Sequence, residues 1–449
     1  MKTHYEVIVL GSGNAGMAAA GVAREAGKSV AVVESWDVGG TCALRGCVPK
    51  KVLVAAAQTL HQISLASEHQ IDVGEAKLDW AKLIARERTF VDGVPDEFAK
   101  SLESRGIDLV RGQAKFIGTN TLEIGGKSIE ADKIVIATGS RPRQLSIPGS
   151  EHLITSDDIL ENPTLPDTLV FIGGGVIALE FAHVFARAGT KVTILEAMPR
   201  LLPRLDVDAV AQLHKATEDL GIDILTDVTV TAIERVKDKY TVNFTNDGEK
   251  KSLTVDRAAN GTGRIPDVET LDLDAGGIQH DGPRIEVDDT LRSVSNPNIY
   301  VAGDALWSSP QLSPVATYAG RIAGENLVFG TECVPYYGDI PSAVYAVPAL
   351  ASVGLTEEEA RDKGLKFGVK INDMTSWRSA KTYAETAAWS KVLIDDESNQ
   401  ILGAHIFGHG AEEIIHLFSF AMTHGVSADK LKLSVYSYPT FASDIKYMV

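Results

Sequence analysis

Two segments of the chain show the same order of apolar and polar positions. Residues 4–10 (HYEVIVL) end in an apolar run, a glycine turn and an alanine-rich stretch follow, and residues 29–34 (SVAVVE) bring a second apolar run. Residues 168–196 repeat this order with TLVFI, GGGVIA, LEFAHVFARAG and KVTILE. Short apolar runs bounded by glycines, with a helical stretch between them, predict buried parallel strands joined by a crossover helix. The repeat therefore predicts two α/β domains.

Each first strand leads into a Gly-x-Gly-x-x-Gly/Ala turn, GSGNAG at 11–16 and GGGVIA at 173–178. In such turns the first glycine permits a tight bend, the second lets the backbone approach a pyrophosphate, and the third position allows close helix packing. Glu34 and Glu196 end the next strands, where a carboxylate can accept a hydrogen bond from a ribose. The context predicts two Rossmann-like dinucleotide sites. The alternative, glycine-rich turns that bind nothing, stays open at both places.

The C-terminal part of the chain has a different pattern. Two strand-like runs, VLIDD and ILGAHIFG, precede a helical stretch, AEEIIHLFSFAMTHG. This mixture predicts a separate α+β domain.

Composition and charge narrow the classes of partner. The 449 residues are 44% hydrophobic and 23% charged, as in an ordinary multidomain globular enzyme. A formal net charge of −17 argues against nucleic acid and anionic membrane surfaces, which favour basic patches. No apolar run reaches the roughly 18 residues that span a bilayer, and no secretory apolar segment opens the sequence. We expect small-molecule partners and a cytoplasmic location.

Two of the three cysteines, Cys42 and Cys47, lie together in GGTCALRGCVPKK at 39–51. Structural zinc usually takes four Cys or His ligands, and Cys333 has no histidine close in sequence. A structural disulfide closing so short a loop in a reducing compartment would add only about 2 kcal/mol. A redox pair is the favoured interpretation, with a metal site and a structural pair as alternatives. Beside two dinucleotide turns, the pair suggests that a flavin and a nicotinamide nucleotide pass electrons to a disulfide.

Further motifs support this interpretation: IVIATGSRP at 134–142, GGGVIALE at 173–180, GTGRIPD at 261–267 and NIYVAGD at 298–304. With GSGNAG and the cysteine segment, they make the chain similar over its whole length to the flavoprotein disulfide reductases. That family contains glutathione reductase, dihydrolipoamide dehydrogenase and mercuric reductase.

The resemblance implies a domain order and a homodimer. Residues 1–147 and 268–335 would form a discontinuous FAD domain, residues 148–267 the inserted NAD(P) domain, and residues 336–449 the dimerisation domain. No metal site is expected.

The resemblance also implies roles for the residues of the cysteine segment. Hydride passes from NAD(P)H to FAD, which reduces the Cys42–Cys47 disulfide. Cys47 would lie against the flavin as the charge-transfer thiolate, and Cys42 would attack the substrate. Lys50 would pair with Glu180 near the flavin. A plain solvated helix start remains the alternative for Lys50 and Lys51.

The cofactor assignments combine the turns with the resemblance. The residues predicted to bind FAD are Gly11, Gly13, Asn14, Ala15, Gly16, Glu34, Ser35, Gly40, Thr41, Lys51, Ala114, Thr138, Gly139, Arg264, Gly303 and Asp304. Those predicted to bind NAD(P) are Gly173, Gly175, Ile177, Glu196 and Gly263. Ala178 is common in NADPH users, but Glu196 would repel a 2′-phosphate, so we expect NADH. Val176 replaces a tyrosine that covers the nicotinamide site in many relatives, which predicts a more open flavin face.

The C-terminal motif departs from the family pattern. Where the disulfide reductases carry a His-Pro dipeptide and a glutamate, this chain has SYPTFASD, with Tyr438 at the histidine's place and Asp444 as the nearest carboxylate. A phenol with an ordinary pKa near 10 is only about 0.1% ionised at pH 7, so it is a poor base. Tyr438 could instead donate a hydrogen bond, or be a packed interface aromatic. His409, His416 and His424 are alternative bases.

The substrate-binding residues of the glutathione enzymes are only partly present. The glutathione enzymes have an arginine on the first FAD helix, and this chain has Gly21 at that position. Arg321 matches a second arginine of those enzymes. Arg45 adds positive charge near the thiols. Mercuric reductases end in a cysteine pair, which DIKYMV lacks. The predicted function is an FAD-dependent NAD(P)H:disulfide oxidoreductase acting on a small disulfide. The alternatives are a reductase of metal ions or quinones, and a flavin-bearing redox sensor.

Overall fold

The computed structural model describes residues 2–449, which divide into two units. The first unit comprises the described residues up to Lys50, with Ala85–Arg143 and Arg264–Tyr337. The second comprises Lys51–Ile84, Gln144–Gly263 and Gly338–Val449. The predicted division into three domains, with a discontinuous FAD domain, stays a prediction.

The strands, in chain order, are β1 His4–Leu10, β2 Val30–Glu34, β3 Asp108–Arg111, β4 Ala114–Gly118, β5 Thr121–Ile124, β6 Lys127–Ile136, β7 Ser140–Pro142, β8 Thr168–Ile172, β9 Lys191–Leu195, β10 Asp223–Leu225, β11 Thr229–Val236, β12 Lys239–Asn246, β13 Glu249–Val255, β14 Arg257–Asn260, β15 Arg264–Pro266, β16 His280–Asp281, β17 Arg284–Ile285, β18 Ile299–Val301, β19 Ser342–Val344, β20 Ala349–Gly354, β21 Phe367–Asp373, β22 Trp389–Asp395 and β23 Ile401–Gly408.

The α-helices are α1 Asn14–Glu25, α2 Gly40–Arg45, α3 Cys47–Ser64, α4 Trp80–Arg88, α5 Val94–Ser104, α6 Ser156–Glu161, α7 Val176–Arg187, α8 Val207–Asp219, α9 Ser313–Phe329, α10 Glu357–Asp362, α11 Arg378–Thr382, α12 Ala411–Thr423, α13 Ala428–Leu433 and α14 Ile445–Met448. No helix within residues 2–449 is long and apolar enough to cross a membrane.

The main sheet of the first unit has the strand order β3-β2-β1-β6-β5-β4, with β18 also paired to β6. Strands β1, β2, β3, β6 and β18 are parallel, and the hairpin β4–β5 joins antiparallel to β6. Val9 lies opposite Val32 on one side and Val135 on the other, and all three are buried. Both faces of these strands are covered, which explains the unbroken apolar runs in the sequence.

The second unit contains the repeated pattern. Strands β10-β9-β8-β14 form a parallel sheet, with α7 as the crossover between β8 and β9. An antiparallel sheet β11-β12-β13 and a five-stranded antiparallel sheet β19-β20-β23-β22-β21 complete the unit. The predicted strand–helix–strand repeat and the predicted α+β C-terminal part are both confirmed.

A lysine is fully buried in the second unit. The Nζ atom of Lys391, on β22, lies 3.0 Å from a carboxylate oxygen of Asp206, the N-cap of α8, and 2.7 Å from carboxylate oxygens of Asp208 and Glu357. The side chains of Lys391 and Asp206 are 0% and 1% exposed. A buried ion pair adds little net stability, but loss of one partner leaves an uncompensated charge. The cluster therefore holds α8 and α10 against the five-stranded sheet.

Replacing Lys391 with methionine is expected to lower the free energy of unfolding by about 3–5 kcal/mol, because Asp206 stays buried without its cation. Lys370→Met is the matched control, since Lys370 is exposed on β21 of the same sheet. Urea unfolding curves of the variants and the wild type give the comparison. An unchanged midpoint for the Lys391 variant would show that the carboxylates do not need this cation.

Candidate functional site: two dinucleotide turns and a thiol pair

The first glycine turn links β1 to α1 and brings Gly11, Gly13, Asn14, Ala15 and Gly16 together. Gly11 has φ +103°, and a Cβ there would lie 2.3 Å from the carbonyl oxygen of Ala137, so only glycine fits. Gly13 is the N-cap of α1 and supplies no side-chain acceptor, and the first turn of the helix contains no acidic residue. The helix start therefore offers N–H groups and a positive dipole to an anion.

Glu34, at the end of β2, organises this turn. Its carboxylate accepts hydrogen bonds from the backbone N–H of Ser12 at 3.0 Å, the Ser12 hydroxyl at 2.6 Å and the backbone N–H of Trp36 at 2.9 Å. The Ser12 hydroxyl in turn accepts from the backbone N–H of Gly39 at 3.0 Å. Ser35, the neighbour of Glu34, is exposed. Ser12 thus connects the turn to the cysteine segment, a role that sequence reasoning missed.

The cysteine segment lies against the glycine turn. Gly40 has φ +71°, and a Cβ there would lie 2.5 Å from the Cα atom of Gly13. Thr41 follows in the first turn of α2 and is half-buried. This close backbone approach explains the two glycines that precede the first cysteine.

An unpartnered polar atom marks the end of β6. The Thr138 hydroxyl oxygen is buried and has no hydrogen-bond partner among residues 2–449. It follows Ala137, whose carbonyl faces Gly11, and precedes Gly139, which has φ +74°. Ala114, also predicted at this site, is buried at the start of β4. A buried hydroxyl left without a partner beside an uncapped helix start is what a bound polar ligand would satisfy.

Arg264 and Asp304 are brought together by Ser140. The Ser140 hydroxyl donates to Asp304 at 2.9 Å and accepts from Nε of Arg264 at 3.0 Å, while a second Arg264 nitrogen donates to the Ser140 carbonyl at 2.5 Å. Gly303 and Asp304 open a short 3₁₀ helix after β18. Burial raises the pKa of Asp304. Sequence reasoning predicted the two ends of this network and missed Ser140.

These features fit FAD, the cofactor expected for the first turn. All residues predicted to bind it, except Lys51, lie in the first unit. Lys51 belongs to the second unit, where its Nζ atom lies 3.9 Å from the centre of the Tyr345 ring and 3.7 Å from Glu412.

The two cysteines of the segment are free thiols in this structure. Cys42 lies in the first turn of α2, and Cys47 is the first residue of α3. A hydrogen bond from Cys47 outweighs partial burial and lowers the pKa of Cys42 to about 6, with further hydrogen bonds from Ser313 and Asn14. The same hydrogen bond to Cys42 raises the pKa of Cys47, although the charge of Lys50 opposes this. The ionisation of one thiol therefore affects the pKa of the other.

The second glycine turn, in the second unit, repeats the first in its physical details. Gly173 has φ +97°, and Gly175 is an N-cap without a side-chain acceptor. Glu196 follows β9 and accepts hydrogen bonds from the backbone N–H groups of Gly174 at 2.5 Å and Met198 at 2.8 Å. Gly263 lies beyond the end of β14 in the same unit. Glu196 therefore orders this turn as Glu34 orders the first.

The start of α7 carries the other predicted residues. Val176, the first residue of the helix, is 42% exposed, whereas Ile177 is half-buried. Glu180, one turn further on, is buried and accepts a hydrogen bond from the backbone N–H of Tyr345 at 2.9 Å. Because Lys50 and Glu180 belong to different units, their pairing stays a prediction.

Tyr438 and Asp444 are not joined in the described part of the chain. The Tyr438 side chain is exposed, and its hydroxyl has no hydrogen-bond partner among residues 2–449. Asp444 is buried and accepts a hydrogen bond from the Ser379 hydroxyl. Burial raises the pKa of Asp444, with the Ser379 hydrogen bond opposing it. The nearest carboxylate in sequence is thus engaged elsewhere.

A carboxylate that sequence reasoning missed binds two histidines of the second unit. Glu385, with a side chain 3% exposed, lies 3.1 Å from Nδ1 of His409 and 3.1 Å from Nε2 of His61. The His409 ring stacks on Phe441, three residues after Tyr438, at a centroid distance of 4.9 Å. Hydrogen bonding to Glu385 raises the pKa of His409. No sequence signal paired these residues, because the three lie far apart in the chain.

The structure also places the remaining candidate residues for base catalysis and substrate binding. His416 and His424 are exposed. Arg321 is an exposed side chain paired with Glu325, one turn later on α9, at 2.9 Å. A Cβ at Gly21 would lie 2.4 Å from the Arg105 guanidinium, so a longer side chain at this position would require Arg105 to move. Residues 2–449 contain no group of three or more His, Cys, Asp or Glu side chains suited to hold a metal ion.

Comparisons with known proteins agree with this arrangement. The family model described as pyridine nucleotide-disulphide oxidoreductase matches residues 5–320, and the model for its dimerisation domain matches residues 340–449. A glutathione reductase of Burkholderia cepacia is 32% identical over 449 residues, which cover 99% of this chain and 98% of the relative. A mercuric reductase of Bacillus cereus is 30% identical over 450 residues, covering 99% of this chain and 71% of the relative.

Solved structures give the same picture. The HOCl-induced flavoprotein disulfide reductase RclA from Escherichia coli has a TM-score of 0.88 and 28% sequence identity, covering 99% of both chains. A Cu(II) complex of the same protein has a TM-score of 0.89 and 28% identity, covering 100% of this chain and 99% of the neighbour.

The Glu385 cluster generates a pH prediction. Burial opposes ionisation of Glu385, but hydrogen bonds from His409 and His61 outweigh it and hold the pKa of Glu385 at about 2, below its ordinary value of 4.5. A carboxylate with a lowered pKa stabilises the fold above its ordinary pKa, and this stability is lost as the pH falls towards the folded value. Glu385→Gln is expected to lower the free energy of unfolding by roughly 1–3 kcal/mol at pH 7.

Urea unfolding between pH 7 and pH 3 tests this expectation. The difference between wild type and Glu385→Gln should shrink as the pH falls below about 4.5. Glu413→Gln, an exposed position on α12, serves as the control and should track the wild type throughout. A difference that stays constant with pH would contradict the ionic role of Glu385.

Proposed function

The chain belongs to the pyridine nucleotide-disulphide oxidoreductase family, and on that premise we propose that it passes electrons from NADH to a small disulfide through Cys42. It is an FAD-dependent enzyme that uses a pyridine nucleotide, and its dimerisation domain makes it a homodimer. The observation that carries the proposal is the pair of free thiols, Cys42 and Cys47, in a segment that packs against the first glycine turn.

The first unit would hold FAD through the uncapped start of α1, Glu34, Thr138 and Asp304. When bound, FAD supplies two-electron transfer between the nicotinamide nucleotide and the cysteine pair. The protein's own part is to keep Cys42 and Cys47 close together. The reduced thiols can then share a proton, and the oxidised pair can form a disulfide. The attack on the substrate disulfide is the role that the resemblance gives to Cys42, and a lowered pKa of this thiol suits that role.

NADH is the proposed electron donor. The Glu196 carboxylate ends the strand where a ribose hydroxyl would be bound, and its charge would repel a 2′-phosphate. The nearest following arginine does not offset this charge, because the Arg200 guanidinium donates to the backbone carbonyls of Leu202, Pro203 and Leu205. Hydrogen bonds to three carbonyls hold the guanidinium in its own loop.

The acid/base assignments are part of the proposal. We keep Lys50 and Glu180 as a pair near the flavin, and Tyr438 as a hydrogen-bond donor to the substrate. Asp444 accepts a hydrogen bond from Ser379, so it would affect Tyr438 only by stabilising the segment that carries both residues. We also keep the cytoplasm as the proposed compartment, since a reducing environment suits an enzyme with only three cysteines.

A second candidate function is reduction of a metal ion, with Cu(II) as the first case. Two observations favour it: a solved neighbour is a Cu(II) complex of a flavoprotein disulfide reductase, and several relatives are mercuric reductases. A reductase of this kind needs no acid/base dyad for thiol exchange. This agrees with Tyr438, whose side chain is exposed and whose ring lies 6.0 Å from the Lys446 ammonium. Soft thiolate ligands such as Cys42 suit copper in its reduced state.

Replacing Cys42 with serine tests whether this thiol reduces the substrate, separately from whether the protein binds FAD. Turnover of a small disulfide with NADH is expected to fall roughly a thousandfold or more, because the nucleophile is gone, while FAD absorbance stays unchanged. Cys333→Ser is the control, since Cys333 is the remaining cysteine and is exposed. Retained disulfide turnover in the Cys42 variant would overturn the proposal. If only Cu(II) reduction is found in the wild type, the second candidate replaces the first.

Glu196→Gln tests the choice of nucleotide. The ratio of kcat/KM for NADH to that for NADPH is expected to fall by about 10–100-fold, because a charge-assisted hydrogen bond is lost and the repulsion of a 2′-phosphate disappears. The single oxygen of glutamine can still accept the hydrogen bond from Gly174, but the hydrogen bond from Met198 is lost. Glu249→Gln, exposed on β13, should leave the ratio unchanged. A wild type that prefers NADPH would contradict the role given to Glu196.

A further inference from the structure

The stretch of chain that carries Tyr438 packs against little of its own unit. Residues 432–440 are exposed, except for the half-buried Tyr436. Immediately afterwards the chain returns to the interior, because Phe441 is half-buried and Asp444 is buried. The position of Tyr438 therefore depends on the groups that hold these flanking residues.

Phe441 is held by two other rings. The centre of its ring lies 4.9 Å from that of His409 and 5.4 Å from that of Tyr383. The His409 and Tyr383 rings are stacked on each other, with a centroid distance of 5.4 Å and an interplanar angle of 17°. Aromatic rings at such distances attract each other beyond the area that they bury. Tyr383, His409 and Phe441 thus form one ring cluster.

Glu385 fixes the His409 ring within this cluster. One carboxylate oxygen of Glu385 lies 3.1 Å from Nδ1 of His409, and the other lies 3.1 Å from Nε2 of His61 on α3. The Glu385 side chain is almost fully buried, so its carboxylate costs free energy unless these histidines bind it. The His409 ring therefore cannot turn away from Glu385 without a loss of stability.

A second contact holds the end of the same segment. The Ser379 hydroxyl, on α11, donates a hydrogen bond to the buried carboxylate of Asp444. A small cavity is lined by residues of both contacts, among them Ser379, His409, Phe441 and Asp444. Because this cavity lies against the segment, the segment is held at separate points and not by continuous packing.

Several charged groups act on the pair of Glu385 and His409. His61 on α3 hydrogen-bonds to Glu385, Arg187 on α7 interacts with Glu385 through its charge, and Glu412 on α12 does so with His409. The hydrogen bond to Glu385 raises the pKa of His409 above its ordinary value of 6.5. The stabilising contribution of the charged ring is complete below pH 6.5 and is lost as the pH rises through the raised pKa.

We propose that Glu385 and His409 are positioning residues for Tyr438. They hold the ring of Phe441, and Phe441 holds the exposed stretch from which the Tyr438 hydroxyl would reach the substrate. This inference rests on the proposed function, because it uses the role given there to Tyr438. His409, considered above as an alternative base, would act through its ring and its charge and would not itself exchange a proton with the substrate.

Hydrogen–deuterium exchange of the FAD-loaded enzyme measures how firmly the segment is held. Mass spectrometry follows peptides that cover residues 432–444, where the amides of Thr440 and Ser443 donate hydrogen bonds within the segment. Exposure lasts only minutes, so that global unfolding does not contribute, and peptides from β22 and β23 serve as the internal reference. Glu385→Gln and His409→Phe should each raise exchange of the 432–444 peptides about fivefold or more and leave the reference protected.

Three further variants are matched to this measurement. Phe441→Ala removes the ring and should raise exchange as His409→Phe does, whereas Phe441→Tyr keeps the ring and should behave as the wild type. His69→Gln changes an exposed histidine that follows α3 and should have no effect.

The pH dependence separates positioning by the charged pair from a merely structural contribution. In the wild type, exchange of the 432–444 peptides, divided by the intrinsic rate at each pH, should rise in a step above pH 6.5, where His409 loses its charge. Glu385→Gln should move this step to lower pH, because the group that raises the pKa of His409 is gone. His409→Phe should abolish the step.

Steady-state kinetics connect the segment to the reaction. In Glu385→Gln and His409→Phe, kcat with a small disulfide should fall about tenfold, because a displaced Tyr438 no longer meets the substrate. The KM for NADH should stay unchanged, since NADH reacts in the other half of the catalytic cycle.

The inference is overturned if neither Glu385→Gln nor His409→Phe raises exchange of the 432–444 peptides, or if the pH step persists in His409→Phe. It is also overturned if exchange rises as expected while kcat stays at the wild-type value, because Tyr438 would then need no positioning. If Glu385→Gln does not retain FAD, His409→Phe and Phe441→Ala decide.

Failure of the proposed function gives a different result. A wild type that reduces no small disulfide would show that the proposed substrate class is wrong. A pH step in exchange that depends on His409 would still show, in that case, that Glu385 and His409 hold the segment.

Discussion

The candidate site of this enzyme depends on one physical constraint, the close contact between the cysteine segment and the first glycine turn. A Cβ at Gly40 would lie 2.5 Å from the Cα atom of Gly13, so a side chain at Gly40 would separate the two segments. The Ser12 hydroxyl adds a hydrogen bond between them, which it accepts from the backbone N–H of Gly39 at 3.0 Å.

The two glycine turns use the same physical device twice. In the first turn, Glu34 accepts hydrogen bonds from the backbone N–H groups of Ser12 and Trp36. In the second turn, Glu196 accepts them from the backbone N–H groups of Gly174 and Met198. The carboxylate therefore stabilises the glycine turn of its own domain. Under the proposed function, the same carboxylate would also bind a ribose.

The two candidate residues of the C-terminal segment have different surroundings. Asp444 is bound to Ser379, Tyr438 is exposed, and the buried carboxylate of the neighbourhood, Glu385, binds two histidines. His409 stacks on Phe441 of the same segment, so the charged cluster supports the segment from one side.

The sequence by itself determined the repeated strand–turn–helix plan, the two acidic strand ends and the adjacent cysteines, because each is a local pattern imposed by backbone geometry. Only the tertiary structure decided that Asn14 donates a hydrogen bond to Ser313, since the two residues are 299 positions apart and meet through the packing of α1 and α9. It likewise decided that Ser140 joins Arg264 to Asp304, and that Glu385 binds His61 and His409. Hydrogen bonds between distant segments leave no periodicity or spacing in a single sequence.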